Sequence, residues 1–154
     1  MATGVMFGKF GANILGGETG AETKALDWIS DTSKVSLHTS AASFDVDADE
    51  IFTDVANEVA SGNGYTTGGY TLASQTVTYN ATGNITACDA ADPTWTASGA
   101  GFSASHAVFT GDTAVDSLLI EYLAFDAGTI TLASGDTLTI NIDATNGVFY
   151  VTAV

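Results

Sequence analysis

The chain has 154 residues, 45% of them hydrophobic, and carries 18 acidic against 3 basic residues for a net charge of -15. That length and apolar content suit one globular domain with a packed core. Lys9, Lys24 and Lys34 are its only cations, too few and too scattered to neutralise phosphates, so nucleic acid and anionic membrane surfaces are excluded as direct partners.

The negative charge comes from missing cations, since only 14% of the residues are charged at all. Self-repulsion keeps such a surface soluble, so assembly requires screening salt or a basic docking surface; the alternative is an acidic solvated face with no partner. The single Cys88 cannot form an internal disulfide and suits synthesis in a reducing cytoplasm. Residues 5–15 are too short and too interrupted by glycine to span a bilayer, and no signal peptide is expected.

Residues 1–22 are Gly-rich and read as an extended N-terminal arm carrying Phe7, Phe10, Ile14 and Leu15, and residues 23–154 as a single β domain. The arm either packs on its own domain or reaches a neighbour. Over 34–39, Val35, Leu37 and Thr39 alternate with Lys34, Ser36 and His38, the pattern of a half-buried strand with His38 on the solvated face. Over 47–59, Asp47 as N-cap, Glu50 three residues later and Ile51, Phe52, Val55 and Val59 at helical spacing predict one short amphipathic helix. The run 61–72 holds Gly62, Gly64, Gly68 and Gly69, a density that predicts turns with positive φ.

Strands rich in Thr, Val, Ile and aromatics follow over 71–79, 85–88, 94–96, 103–110, 118–125, 129–132, 137–142 and 148–152. Ser134, Gly135 and Asp136 are expected to turn a hairpin whose second strand alternates Leu138, Ile140 and Ile142 with polar residues. Many short strands with Gly, Asp and Asn turns imply a mainly β fold, an antiparallel sandwich or barrel. Strand 118–125 departs from alternation: Leu118, Leu119, Ile120, Tyr122, Leu123 and Phe125 place apolar groups on both faces. It is either central in its sheet or turned in part toward a partner subunit.

Few residues suggest chemistry. Asp45, Asp47 and Asp49 imitate the opening of an EF-hand, but Glu50 and Ala56 stand where the loop needs Gly and a bidentate Glu, so they form at most a weak calcium site. The same carboxylates suit a helix N-terminus. His38 and His106 lack a neighbouring nucleophile motif, Cys88 reads as a strand residue, and the glycine run lacks the Lys-Ser or Lys-Thr ending of a phosphate loop. No enzyme, metal centre or cofactor is expected. Trp28, Trp95, Tyr65 and Tyr70 are candidates for a carbohydrate-stacking platform, with burial as the alternative.

The runs DWISDTSKVSLHTS (27–40), DEIFTDVANEVASGNGYTTGGYTL (49–72), QTVTY (75–79), DPTWT (92–96) and TLTINIDATNGVFYVT (137–152) together resemble a group of small tailed-phage structural proteins. In that group an Asp-rich start leads into a strand of the "KVAL" type, then a Gly-Tyr block, a "D...W" strand and a closing strand. This sequence departs from the pattern in its Gly-rich first 22 residues and in lacking basic residues within the middle strands. The resemblance implies a protein made in the host cytoplasm that decorates the capsid exterior, binding the major capsid protein, with a tail- or fibre-associated carbohydrate- or receptor-binding module as the alternative. It further implies a homo-oligomer, a cyclic trimer by symmetry, with Phe7, Phe10, Ile14, Leu15, Leu119 and Leu123 as contact residues. On that reading, deleting residues 1–20 leaves a folded domain that no longer binds capsids.

Overall fold

The computed structural model describes residues 3–11, 26–112 and 117–152. Among them are twelve strands: β1 (Thr3–Met6), β2 (Thr32–His38), β3 (Tyr70–Thr71), β4 (Thr76–Asn80), β5 (Ile85–Asp89), β6 (Thr94–Thr96), β7 (Phe102–Ala104), β8 (His106–Asp112), β9 (Ser117–Ala124), β10 (Ile130–Leu132), β11 (Thr137–Thr139) and β12 (Phe149–Thr152). They form four sheets: β1-β9-β8-β2-β3, β12-β5-β4, β10-β7 and β11-β6. The fold is mainly β, and none of these sheets closes into a barrel.

The five-stranded sheet separates two apolar clusters. On one side Val35, Leu37, Phe109 and Ile120 join Trp95, Phe102, Leu138 and Phe149 in the main core. On the other, Val108 and Leu119 meet Phe7 and Val55, with Phe44 and Tyr122 packed against them. This double coverage explains the missing alternation in β9, which lies between β1 and β8 as a central strand of its sheet.

The same coverage corrects the reading of β2. Its outer face is not solvated: His38 is fully buried beneath Phe44 and Phe52, whose rings lie 6.3 and 6.0 Å from the imidazole. A polar strand residue is tolerated there because both ring nitrogens have partners, Ser36 Oγ at 3.0 Å and the Ala56 carbonyl at 3.1 Å.

Segment 47–59 is not the predicted α-helix. Asp45 accepts the amides of Asp47 and Ala48, Asp54 accepts those of Glu50 and Ile51, and only a 3-10 turn forms at Phe52–Asp54. Short carboxylates that capture nearby N–H groups compete with the helix ladder. Beyond the turn Val55 is extended, and the Val59 amide bonds the Leu37 carbonyl at 2.9 Å, so the chain runs back to β2.

Residues 71–79 also fall into two strands, interrupted at Ser74, whose φ is 56°. The turn at Ser134–Asp136 exists, with the Asp136 amide on the Ala133 carbonyl at 3.0 Å, but its flanking strands do not pair with each other. β10 pairs with β7 and β11 with β6 instead. The chains thus form one bent ribbon in which the Gly135 amide bonds the Ala97 carbonyl at the corner. Gly101 is required at that bend, because at its φ of 75° a Cβ would sit 1.9 Å from the Leu132 carbonyl oxygen.

Of the expected arm, residues 3–11 pack on the domain itself. β1 pairs with β9 along Thr3–Met6, a helical turn follows over 8–11, and Phe7 and Phe10, each 1% exposed, enter the two cores. Ile14 and Leu15 lie outside the described residues.

The glycine run 61–72 folds into tight turns in which Gly62, Gly64, Gly68 and Gly69 all take positive φ, as expected. These turns hold Tyr65 inward, where its hydroxyl donates to Glu58 Oε1 at 2.7 Å and accepts the buried Leu37 amide at 3.0 Å. A Tyr65→Phe substitution is therefore expected to cost about 2 kcal/mol, because it strands a buried amide and removes one partner from a carboxylate. Urea unfolding of the two proteins measures it; a change below about 0.5 kcal/mol would show the knot to be dispensable.

Candidate interaction surface and apolar cleft

Most residues that the sequence marks for chemistry are engaged in holding the fold. The Asp45 carboxylate is taken by its turn, and Asp49 Oδ2 accepts the Asp45 amide at 2.8 Å. No group of three His, Cys, Asp or Glu side chains among the described residues is placed to hold a metal ion. Burial holds the His38 imidazole below its ordinary value, opposed by its hydrogen bond to Ala56 and by Glu58, while His106 on β8 lowers it further. Burial likewise pushes the Cys88 thiol up to about 11, which leaves little thiolate at neutral pH. The amides of the glycine run are also occupied, Gly68 N bonding Glu58 Oε1 at 2.6 Å and Thr67 N bonding Ser61 Oγ at 2.8 Å.

The aromatic platform is not assembled. Trp28, Trp95 and Tyr65 are buried, Trp28 donating its indole N–H to the Asp89 carbonyl at 3.2 Å, and only Tyr70 is exposed. Of the expected contact residues, the described ones are buried or partly buried. Phe7, Phe10 and Leu119 are each 1% exposed and therefore have no area left to offer a neighbour; Leu123 is partly buried against the main core.

The exposed apolar groups gather elsewhere, on the three-stranded sheet. Val77, Tyr79, Tyr150 and Val151 are 48%, 61%, 49% and 57% exposed. Cross-strand register places Tyr79, Thr86 and Val151 in one row of one face, with Tyr150, Ala87 and Thr78 in a row of the other. Side chains of directly opposed residues share a face, so Tyr79 and Val151 flank Thr86 in one contiguous strip, whereas Ala87 in the other row is buried and leaves Tyr150 alone there. Within β4, β5 and β12 the only charged residue is Asp89 at the end of β5.

Both outer strands of this sheet are edges, and β4 is exposed along its whole length. Chains that must avoid pairing usually guard such an edge with Lys, Pro or a bulge; Thr76–Asn80 carries no Lys or Pro and pairs with β5 without a break. The strands are predicted by their composition but their exposure is not, because Val and Tyr in a strand signal a core as readily as a surface.

A second feature is a cleft of about 610 Å³ between the five-stranded sheet and residues 138–150. Phe109, Phe125, Leu138, Ile140 and Val148 supply buried apolar lining, while exposed Asp126, Asn141 and Tyr150 stand at its rim. Glu121 of β9 is the carboxylate set among the apolar groups, and burial pushes it up to about 7. No helix among the described residues is long and apolar enough to cross a membrane.

No protein-family model, curated protein or solved structure matches this chain.

Proposed function

We propose that this protein is a structural component of a tailed-phage virion, made in the host cytoplasm, which decorates and stabilises the outside of the capsid. The observation that carries the reading is the β12-β5-β4 sheet: an exposed strip holding Tyr79 and Val151, an unguarded edge strand and almost no charge on a chain whose net charge is -15. Interface cores are depleted of charge and enriched in Tyr, and a bare edge can accept a strand from another protein. The surrounding carboxylates favour a partner with a basic rim, and the partner in this reading is the major capsid protein.

The resemblance of residues 27–152 to small phage structural proteins supports the same role. In this reading the five-stranded sheet and the bent ribbon that covers its main core form an open β-sandwich, copies associate as a cyclic trimer, and the protein acts by adding buried contact area across capsomer joints without catalysing a reaction.

Tyr79→Glu tests the docking face. Tyr79 is 61% exposed, so the variant is expected to keep its melting temperature within a few degrees while losing at least about tenfold in co-sedimentation with capsids. Undiminished capsid binding by the folded variant overturns this assignment of the surface.

A further inference from the structure

The strand β9 contains an irregularity that aims a charge into the cleft. Phe109 of β8 pairs with Glu121 and the adjacent Thr110 with Leu119, so Ile120 has no partner on β8 and forms a bulge. Bulges re-aim side chains, and here Ile120 and Glu121, neighbours in sequence, both turn to the main-core side, while Leu119 and Tyr122 face the second cluster. On β1, Gly4 leaves room for the carboxylate: a Cβ there would lie 2.7 Å from Glu121 Oε2.

The Glu121 carboxylate makes no hydrogen bond or ion pair with any described residue; only its backbone pairs, opposite Met6 and Phe109. No Lys or Arg lines the cleft among the described residues, and its other charged groups, Asp126 and Asp143, are also acidic. A carboxylate held in an apolar wall without a counter-ion is costly, and a ligand that supplies the cation removes that cost. The carboxylates of the lining do not converge on a metal, since no three His, Cys, Asp or Glu side chains among the described residues are placed to hold one. An organic cation with an apolar body matches both the floor and the charge, and the volume is that of a small-molecule site.

We propose that this cleft binds an apolar chain ending in an ammonium group, with Glu121 as its counter-ion and Phe109, Leu138, Ile140 and Val148 around the chain. The assignment is independent of the virion reading. Either a free alkylamine or a lysine side chain on an apolar peptide has this chemistry.

Calorimetric titration with hexylammonium, 1-hexanol and hexanoate at pH 8 tests it. Hexylammonium is expected to bind at least about tenfold more tightly than hexanol, and hexanoate more weakly than either. In Glu121→Gln the advantage of hexylammonium disappears while hexanol binding persists, which also shows that the variant is folded. Below pH 7 binding is accompanied by release of a proton from Glu121 to the buffer. A further arm with the blocked peptide acetyl-Leu-Lys-Leu-amide assigns the source: tighter binding than hexylammonium points to a lysine side chain, weaker binding to a free amine. Equal affinity for hexanol and hexylammonium, an unchanged preference in Glu121→Gln, or no binding by any probe at millimolar concentration overturns the proposal.

Discussion

Glu121→Gln is expected to stabilise the protein at pH 8 and to leave it unchanged at pH 4. The carboxyl is held up to about 7 by burial, above its value in the unfolded chain. Below the unfolded value both states carry the proton, and Gln, its near-isostere, reproduces the protonated side chain. As pH rises through 4 to 7 the unfolded chain ionises first, the folded chain binds more protons, and stability falls. Above 7 the whole penalty is present, and removing it is expected to add about 2 to 3 kcal/mol. The charged groups facing Glu121 across the cleft, Asp126 and Asp143, are acidic like it and reinforce the sign. His38 titrates in the opposite sense, its stabilising contribution being present above about 6.5 and lost on acidification. It is common to both proteins and cancels in the difference. Urea unfolding at the two pH values checks the prediction; a variant less stable than its parent at pH 8 would refute the unpaired state of this carboxylate.

The contrast between Glu121 and His38 shows what the sequence could express. Composition and period-two patterning placed the strands, and glycine density placed the turns of 61–72, because both are local properties of the backbone. Burial of the polar face of β2 depends on the loop that follows it, which folds back and lays Phe44 and Phe52 over His38, an event that the strand's own alternation does not encode. In β9 the apolar excess correctly marked a central strand, but a bulge is set by pairing with β8 and leaves no signature in a run such as Leu118-Leu119-Ile120-Glu121. The helix expected over 47–59 failed for a local reason that was visible in principle. Asp45, Asp49 and Asp54 are better turn and cap residues than interior helix residues, and their preference prevails over the helical spacing of Ile51, Phe52, Val55 and Val59. The hairpin at Ser134–Asp136 failed for a non-local one, since pairing of β10 and β11 with β7 and β6 carries the chain on around a corner and the turn bends the ribbon without reversing it.

Phe10→Ala is the substitution expected to cost most, about 3 to 5 kcal/mol by unfolding in denaturant. The ring is 1% exposed and meets Phe149 edge-on at 5.0 Å, and Phe149 in turn meets Trp28 at 5.3 Å. It thereby ties the N-terminal segment to the three-stranded sheet, and the cavity left by Ala opens where two parts of the core join. Removal of residues 1–20 is more severe still, because it also takes away β1, baring the β9 edge, and Phe7 from the second cluster. That truncation is therefore expected to unfold or aggregate, contrary to the autonomous domain that a Gly-rich arm suggests. A loss of capsid binding on truncation then reports on folding and cannot be assigned to contacts of the arm. The surface variant Tyr79→Glu separates the two effects, since it alters an exposed strip and leaves both cores intact. If Phe10→Ala instead costs less than about 1 kcal/mol, the segment is only loosely attached and the arm regains its claim to reach a neighbour.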